Sequence, residues 1–92
     1  MAEPELRHPV LAQGVRLHHD KVRDRQVLLY PEGALVLNDT AVAVLELCDG
    51  ERSVDDVAGV LSERYGGADV RADVAELLDA IAQRGLVVDA GG

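Results

Sequence analysis

The chain has 92 residues, 48% of them hydrophobic, and a formal net charge of −8. A domain of this length buries only roughly 60–65% of its unfolded surface, so one modest core fits and a second lobe does not. The charge excludes counterion-release binding to nucleic acid as a main function, and it argues against docking on anionic lipid.

The apolar residues are small: 14 Val, 13 Leu and 12 Ala against one Ile, no Phe and no Trp. Such a core is moderately stable. No apolar run approaches the ~18 residues that would suggest a membrane span. Glu3, Pro4, Glu5 and Pro9 do not fit a signal or transit peptide. The single Cys48 cannot close an internal disulfide, which points to a reducing cytosol. Charge is uneven. Residues 1–30 carry five basic and four acidic groups, and residues 31–92 carry four basic and thirteen acidic ones. A partner steered by charge would meet the second half with a basic surface.

In chain order, residues 1–13 have two prolines and no clear period, and read as a flexible arm anchored by Val10 and Leu11. A domain over 14–88 follows. Gly14 to His19 alternates, with Val15 and Leu17 on one face. Asp20 to Arg25 is a charged turn. Gln26 to Tyr30 is a second strand. Pro31-Glu32-Gly33 is turn chemistry, with proline presetting φ and glycine accepting φ > 0. Ala34 to Leu37 is a third strand, so two hairpins make an antiparallel meander.

The period changes at Asn38-Asp39, a helix N-terminus. Ala41, Val44, Leu45 and Cys48 form the first apolar stripe, and Asp49-Gly50 ends it. Ser53 with Asp56 forms a capping box. Val54, Val57, Ala58, Leu61 and Tyr65 are the second stripe, stopped at Gly66-Gly67. Asp69 caps a third helix with the stripe Val70, Val74, Leu77, Leu78 and Ile81, closed by Gly85-Leu86. Leu86-Val87-Val88 is a short strand or an extended tail, and 89–92 a frayed end. Strands followed by helices predict an α+β fold: a three-stranded antiparallel meander and then three α-helices, like a winged helix-turn-helix.

Chemistry is sparse. His18 and His19 are adjacent and point to opposite faces of a strand, and no Cys-x-x-Cys exists, so no metal site is expected. Cys48 sits in an apolar stripe with no base near in sequence and reads as a buried hydrophobe. Gly66-Gly67 lacks the Lys-Ser/Thr of a phosphate loop. Asp55, Asp56, Glu63, Asp73, Glu76 and Asp79 fall mainly on outward faces. No catalytic residue and no cofactor is assigned. The third helix has two positive and four negative charges, which would repel phosphates. What remains is interaction. Leu35-Val36-Leu37 is short and apolar, and as an edge it could template a peptide strand; the alternative is that the tail or a second copy covers it.

Several segments resemble the PqqD family: Val10 to Leu17, Val27 to Gly33 running into Leu37-Asn38, Leu45, Leu47 to Gly50, Ser53-Val54 and Gly85 to Val87. The resemblance covers roughly residues 9–88. It implies a non-catalytic peptide chaperone of pyrroloquinoline quinone biosynthesis. Members of the family bind the precursor peptide PqqA and present it to the radical S-adenosylmethionine enzyme PqqE. In related recognition domains the peptide adds a strand to the third strand of the sheet, beside the third helix.

Carried onto this chain, the resemblance puts the edge at Ala34, Leu35, Val36 and Leu37. It puts the groove wall at Arg71, Val74, Ala75, Leu78 and Ala82. Val74 and Leu78 serve the core equally well. Arg71 is either a partner for an acidic peptide residue or a solvated charge. The same edge could accept another copy, giving a monomer or a strand-exchanged homodimer. Two alternatives are a recognition domain for another modified peptide and a winged-helix DNA reader, which the charge disfavours.

Overall fold

The computed structural model describes residues 6–90. In chain order the elements are β1 (Pro9–Leu11), β2 (Arg16–Asp20), β3 (Arg25–Tyr30), β4 (Gly33–Leu37), α1 (Asp39–Glu46), α2 (Val54–Arg64), α3 (Arg71–Gln83) and β5 (Val87–Asp89). Strands β2, β3 and β4 form an antiparallel sheet in that order, while β1 and β5 form a separate antiparallel pair. The expected meander and three helices are therefore present as an α+β fold.

Alternation decides which side of the meander packs inward. Leu17 pairs with Leu28 and Leu28 with Leu35, so these side chains share one face. Leu37 follows two residues on, and Leu28 and Leu37 are buried in the helical core. In the first hairpin turn, Asp20 Oδ1 accepts from the N–H groups of Val22 and Arg23. Asp24 takes φ 50° there, a conformation that a short polar residue tolerates. The second turn corrects an expectation: Gly33 has no positive φ, so Pro31 rather than a left-handed glycine shapes that turn.

The helix ends obey local chemistry. Asn38 accepts from the Ala41 N–H at 2.8 Å at the start of α1. Ser53 and Asp56 exchange bonds of 3.0 Å in a capping box at the start of α2. At the end of α3 the Leu86 N–H donates to the Ile81 carbonyl and the Gly85 N–H to that of Ala82, with Gly85 at φ 76°. That is a complete Schellman motif, with Leu86 and Ile81 both buried. Asp69 departs from expectation: Val70 is the N-cap of α3, and the Asp69 carboxylate accepts from the Arg71 N–H one position early. Helix α1 also ends sooner than expected. Cys48 lies two residues beyond it, buried, with its thiol donating to the Val44 carbonyl.

The largest difference from the sequence reading lies at the two ends. Residues 9–11 of the expected flexible arm form β1, whose partner is β5, including Asp89 of the expected frayed end. Pro9 is fully buried. The other side of β1 is also engaged, through a bridge from Val10 to Asp49 and a Gly50 N–H bond to the Pro9 carbonyl. Residues 1–5 and 91–92 of those two expected segments lie outside the described residues.

Candidate functional site

Strand β4 ends its sheet. It pairs with β3 on one side, and no strand pairs on the other among the described residues. A row of backbone donors and acceptors is thus free to bond an added strand. Its side chains divide by face. Leu37 is buried, Leu35 is half-buried against the core, and Val36 is 54% exposed on the opposite face. Ala34 is exposed.

Beside this edge runs a groove of about 230 Å³, bounded by Leu35, Val36, Leu37 and Asn38 and, across the gap, by Leu77, Ala80, Ile81 and Arg84 of α3. A second cavity of about 140 Å³ shares Asn38, Ala41 and Leu77 with it and reaches Tyr65 and Val70. Together they make a largely apolar furrow along α3, with Arg84 at one end and Asp73 in the lining of the other. Extended backbone could lie on β4 and send alternate side chains into this furrow.

Of the expected site residues, Leu35, Val36 and Leu37 line the groove, and Val74 lines the cavity that adjoins it. Val74 and Leu78 are core residues, 2% and 1% exposed. Arg71, Ala75 and Leu78 line a different cavity of about 190 Å³, with Leu6, Val54 and Asp79. Arg71 is ion-paired with Asp55 of α2, and Ala82 is half-buried outside the furrow. The groove residues Leu77 and Ile81 are the expected Leu78 and Ala82 displaced by one position, about 100° of helix rotation. The sequence reading had both in its apolar stripe but gave them to the core alone. Ala80 and Arg84 carry no local signal, since only the docking angle of α3 turns them toward β4.

No other cluster offers reactive chemistry. Burial pushes the Cys48 thiol up to about 11, with the Asp49 charge adding to the shift, so it stays protonated at neutral pH. His18 and His19 lie on opposite faces of β2, and His19 Nε2 sits 3.1 Å from Asp24 Oδ1. Among the described residues no three His, Cys, Asp or Glu side chains gather as metal ligands. No helix among them is long and apolar enough to cross a membrane.

An unpaired strand bordering an apolar helix groove is the arrangement that domains binding peptides by strand addition share. The family profile of Coenzyme PQQ synthesis protein D (PqqD) matches residues 25–87, and the chain belongs to this family. A PqqA binding protein of Methylococcus capsulatus is 36% identical over 73 residues, spanning 79% of this chain and 78% of that one. A PqqA binding protein of Rhizobium meliloti is 45% identical over 73 residues, spanning 73% and 74%. The solution structure of the PqqD truncation of Methylobacterium extorquens PqqCD, a functional stand-alone recognition element for ribosomally made, modified peptides, superposes with a TM-score of 0.75. It is 40% identical, over 87% of each chain.

Proposed function

We propose that this chain is a non-catalytic peptide chaperone of pyrroloquinoline quinone biosynthesis, acting in the cytosol. It captures the PqqA precursor by strand addition to β4 and presents it to the radical S-adenosylmethionine enzyme PqqE. The observation that carries this reading is the unpaired β4 edge beside the α3 furrow, together with relatives named for PqqA binding. Main-chain bonds supply affinity with little sequence demand, and the furrow selects alternate side chains. The precursor orders on binding, which limits net affinity.

The working surface is Ala34, Leu35, Val36 and Leu37 with Leu77, Ala80, Ile81 and Arg84. Arg71, Ala75 and Ala82 are peripheral to it. A second copy could occupy the same edge, so a strand-paired homodimer would compete with the peptide.

The test is an amide NMR titration of the labelled protein with PqqA. Shifts should concentrate on residues 34–37 and 77–84, and Val36→Pro, which removes one edge donor, should abolish them while the helical amides keep their positions. Unchanged binding by Val36→Pro would refute strand addition at β4. Saturable shifts with an unrelated precursor, and none with PqqA, would assign the domain to another modified peptide.

A further inference from the structure

Strand addition by itself reads little sequence. Backbone bonds are the same for every side chain, and a slip of two residues keeps each side chain on its face. The walls of the furrow are aliphatic, chiefly Leu35, Leu37, Leu77, Ala80 and Ile81. Apolar contacts of that kind separate one aliphatic side chain from the next only weakly. A peptide held by these contacts alone would lie there in several registers and in either direction.

The charges at its two ends break that degeneracy. Among the residues that line the groove, Arg84 alone is charged. It is exposed at the C-terminal end of α3. It has no carboxylate within ion-pair reach among the described residues, whereas Arg23, Arg25, Arg52 and Arg71 each pair with an aspartate. In a chain of net charge −8, a guanidinium left open beside an apolar wall offers a fork of donors that matches a carboxylate. The adjoining cavity has the opposite sign. Its charged lining residue is Asp73, in the first turn of α3. Asp73 and Arg84 are 11 positions apart, about 16 Å along a helix. Extended chain covers that distance in about five residues.

We infer that Arg84 is a specificity residue of the furrow: it selects a peptide that places an Asp or Glu at its end, and Asp73 turns away the reverse placement. This rests on peptide capture at β4 and adds what that site reads. An acidic side chain against Arg84 gains a charge-assisted pair. Slipped by two residues, the same side chain moves about 7 Å and loses the pair. Turned end for end, the peptide brings its carboxylate to Asp73 and is repelled. One ion pair thus sets the register and the direction that main-chain bonds leave open.

The experiment has two arms, both on the full chain. The first measures PqqA affinity for the parent, Arg84→Glu, Arg84→Gln and Lys21→Glu. Lys21 lies in the β2–β3 turn and lines neither cavity of the furrow, so its reversal makes the same change of net charge elsewhere. Arg84→Glu should weaken binding about tenfold and flatten its salt dependence, Arg84→Gln should weaken it less, and Lys21→Glu should leave it near the parental value. The second arm selects binders from a display library of random peptides. The parent should enrich Asp or Glu at one fixed spacing from the apolar anchors, and Arg84→Glu should lose that preference. Melting temperature is followed throughout, because a cation at a helix C-terminus also steadies the helix. That role alone would shift melting without changing which peptides are enriched. Parental PqqA affinity and parental peptide preference in Arg84→Glu overturn the inference and leave capture at β4 standing. Equal weakening by Lys21→Glu and Arg84→Glu reduces the effect to net charge and overturns it too. A parent that enriches acidic peptides through Arg84 but does not bind PqqA supports the inference and overturns the PqqA assignment. A parent that binds neither PqqA nor any library peptide overturns both.

Discussion

The two sheets use their hydrogen-bonding capacity in opposite ways. Strand β1 is engaged on both sides, by β5 and by the loop at Asp49-Gly50, and its first residue, Pro9, is fully buried. Strand β4 is engaged on one side only. The short β1–β5 sheet ties both ends of the chain to the α1–α2 loop and closes the small aliphatic core. The longer sheet keeps a strand unpaired next to a helix groove. A chain without Phe or Trp in its core thus closes itself near its ends and leaves a strand edge open in its middle.

The sharpest way to break this division is through α3, which serves both sides. Leu78 points into the core. Leu78→Ala should cost about 3 kcal/mol and lower the melting temperature by more than about 10 °C. Calorimetry checks it. A loss below about 1 kcal/mol would mean that the core face of α3 has been misplaced.

The closing sheet can be tested at Gly50. Its φ is +83°, and an added Cβ would meet Ala90 Cβ at 3.0 Å and Val10 Cβ at 3.5 Å. Gly50→Val should destabilise by about 2 kcal/mol, from left-handed strain and crowding against β1. Below its melting point the variant should still bind PqqA with parental affinity, because the strain lies away from β4. Weakened peptide binding in the folded variant would show that the two sheets are coupled.

The binding side can be tested at Ala80, exposed on the groove wall. Ala80→Glu should leave the melting temperature nearly unchanged and weaken PqqA binding about tenfold, near 1.4 kcal/mol. Ala75→Glu, on a different side of the helix, should leave PqqA binding at its parental strength. Equal effects of the two on affinity would reject the furrow as the peptide's path.

These contrasts also show what was legible in the sequence. The caps at Asn38, Ser53 with Asp56, and Gly85 with Leu86 were, because each is settled by three or four neighbouring residues. The meander and its β4 edge were, because alternation and turn residues are local. The β1–β5 pair was not. Its register joins Pro9 to Asp89 across nearly the whole chain, and neither segment is long enough to announce a strand alone. The α3 residues that border the groove were legible only in part, Val74 but not Leu77 or Ile81, for a related reason. The helix's stripe includes Leu77 beside Leu78 and Val74, wider than one contact needs, and only tertiary packing divides that stripe between core and groove.

The smallest expected effect is that of acid, and it should fall unevenly. Asp49 has its pKa lowered by accepting the N–H groups of Glu51 and Arg52, and Asp56 by accepting the N–H and hydroxyl of Ser53. Both lie on the closing side, in the α1–α2 loop that β1 bridges and in the first turn of α2, whereas Asp20, lowered likewise by the Arg23 N–H, acts only at the β2–β3 turn. A carboxylate with a depressed folded-state pKa contributes stability that is fully present above its unfolded value, near 3.8, and lost as pH falls through the folded one. Melting temperature should therefore hold at neutral pH and decline below about pH 4. Amides of Val10, Glu51, Arg52 and Val88 should lose protection before those of β3. Asp49→Asn and Asp56→Asn should flatten that decline, since neither amide titrates. A uniform loss of protection, or an unchanged slope in both variants, would mean that these carboxylates do not set the acid response and that the closing sheet owes its stability to packing alone.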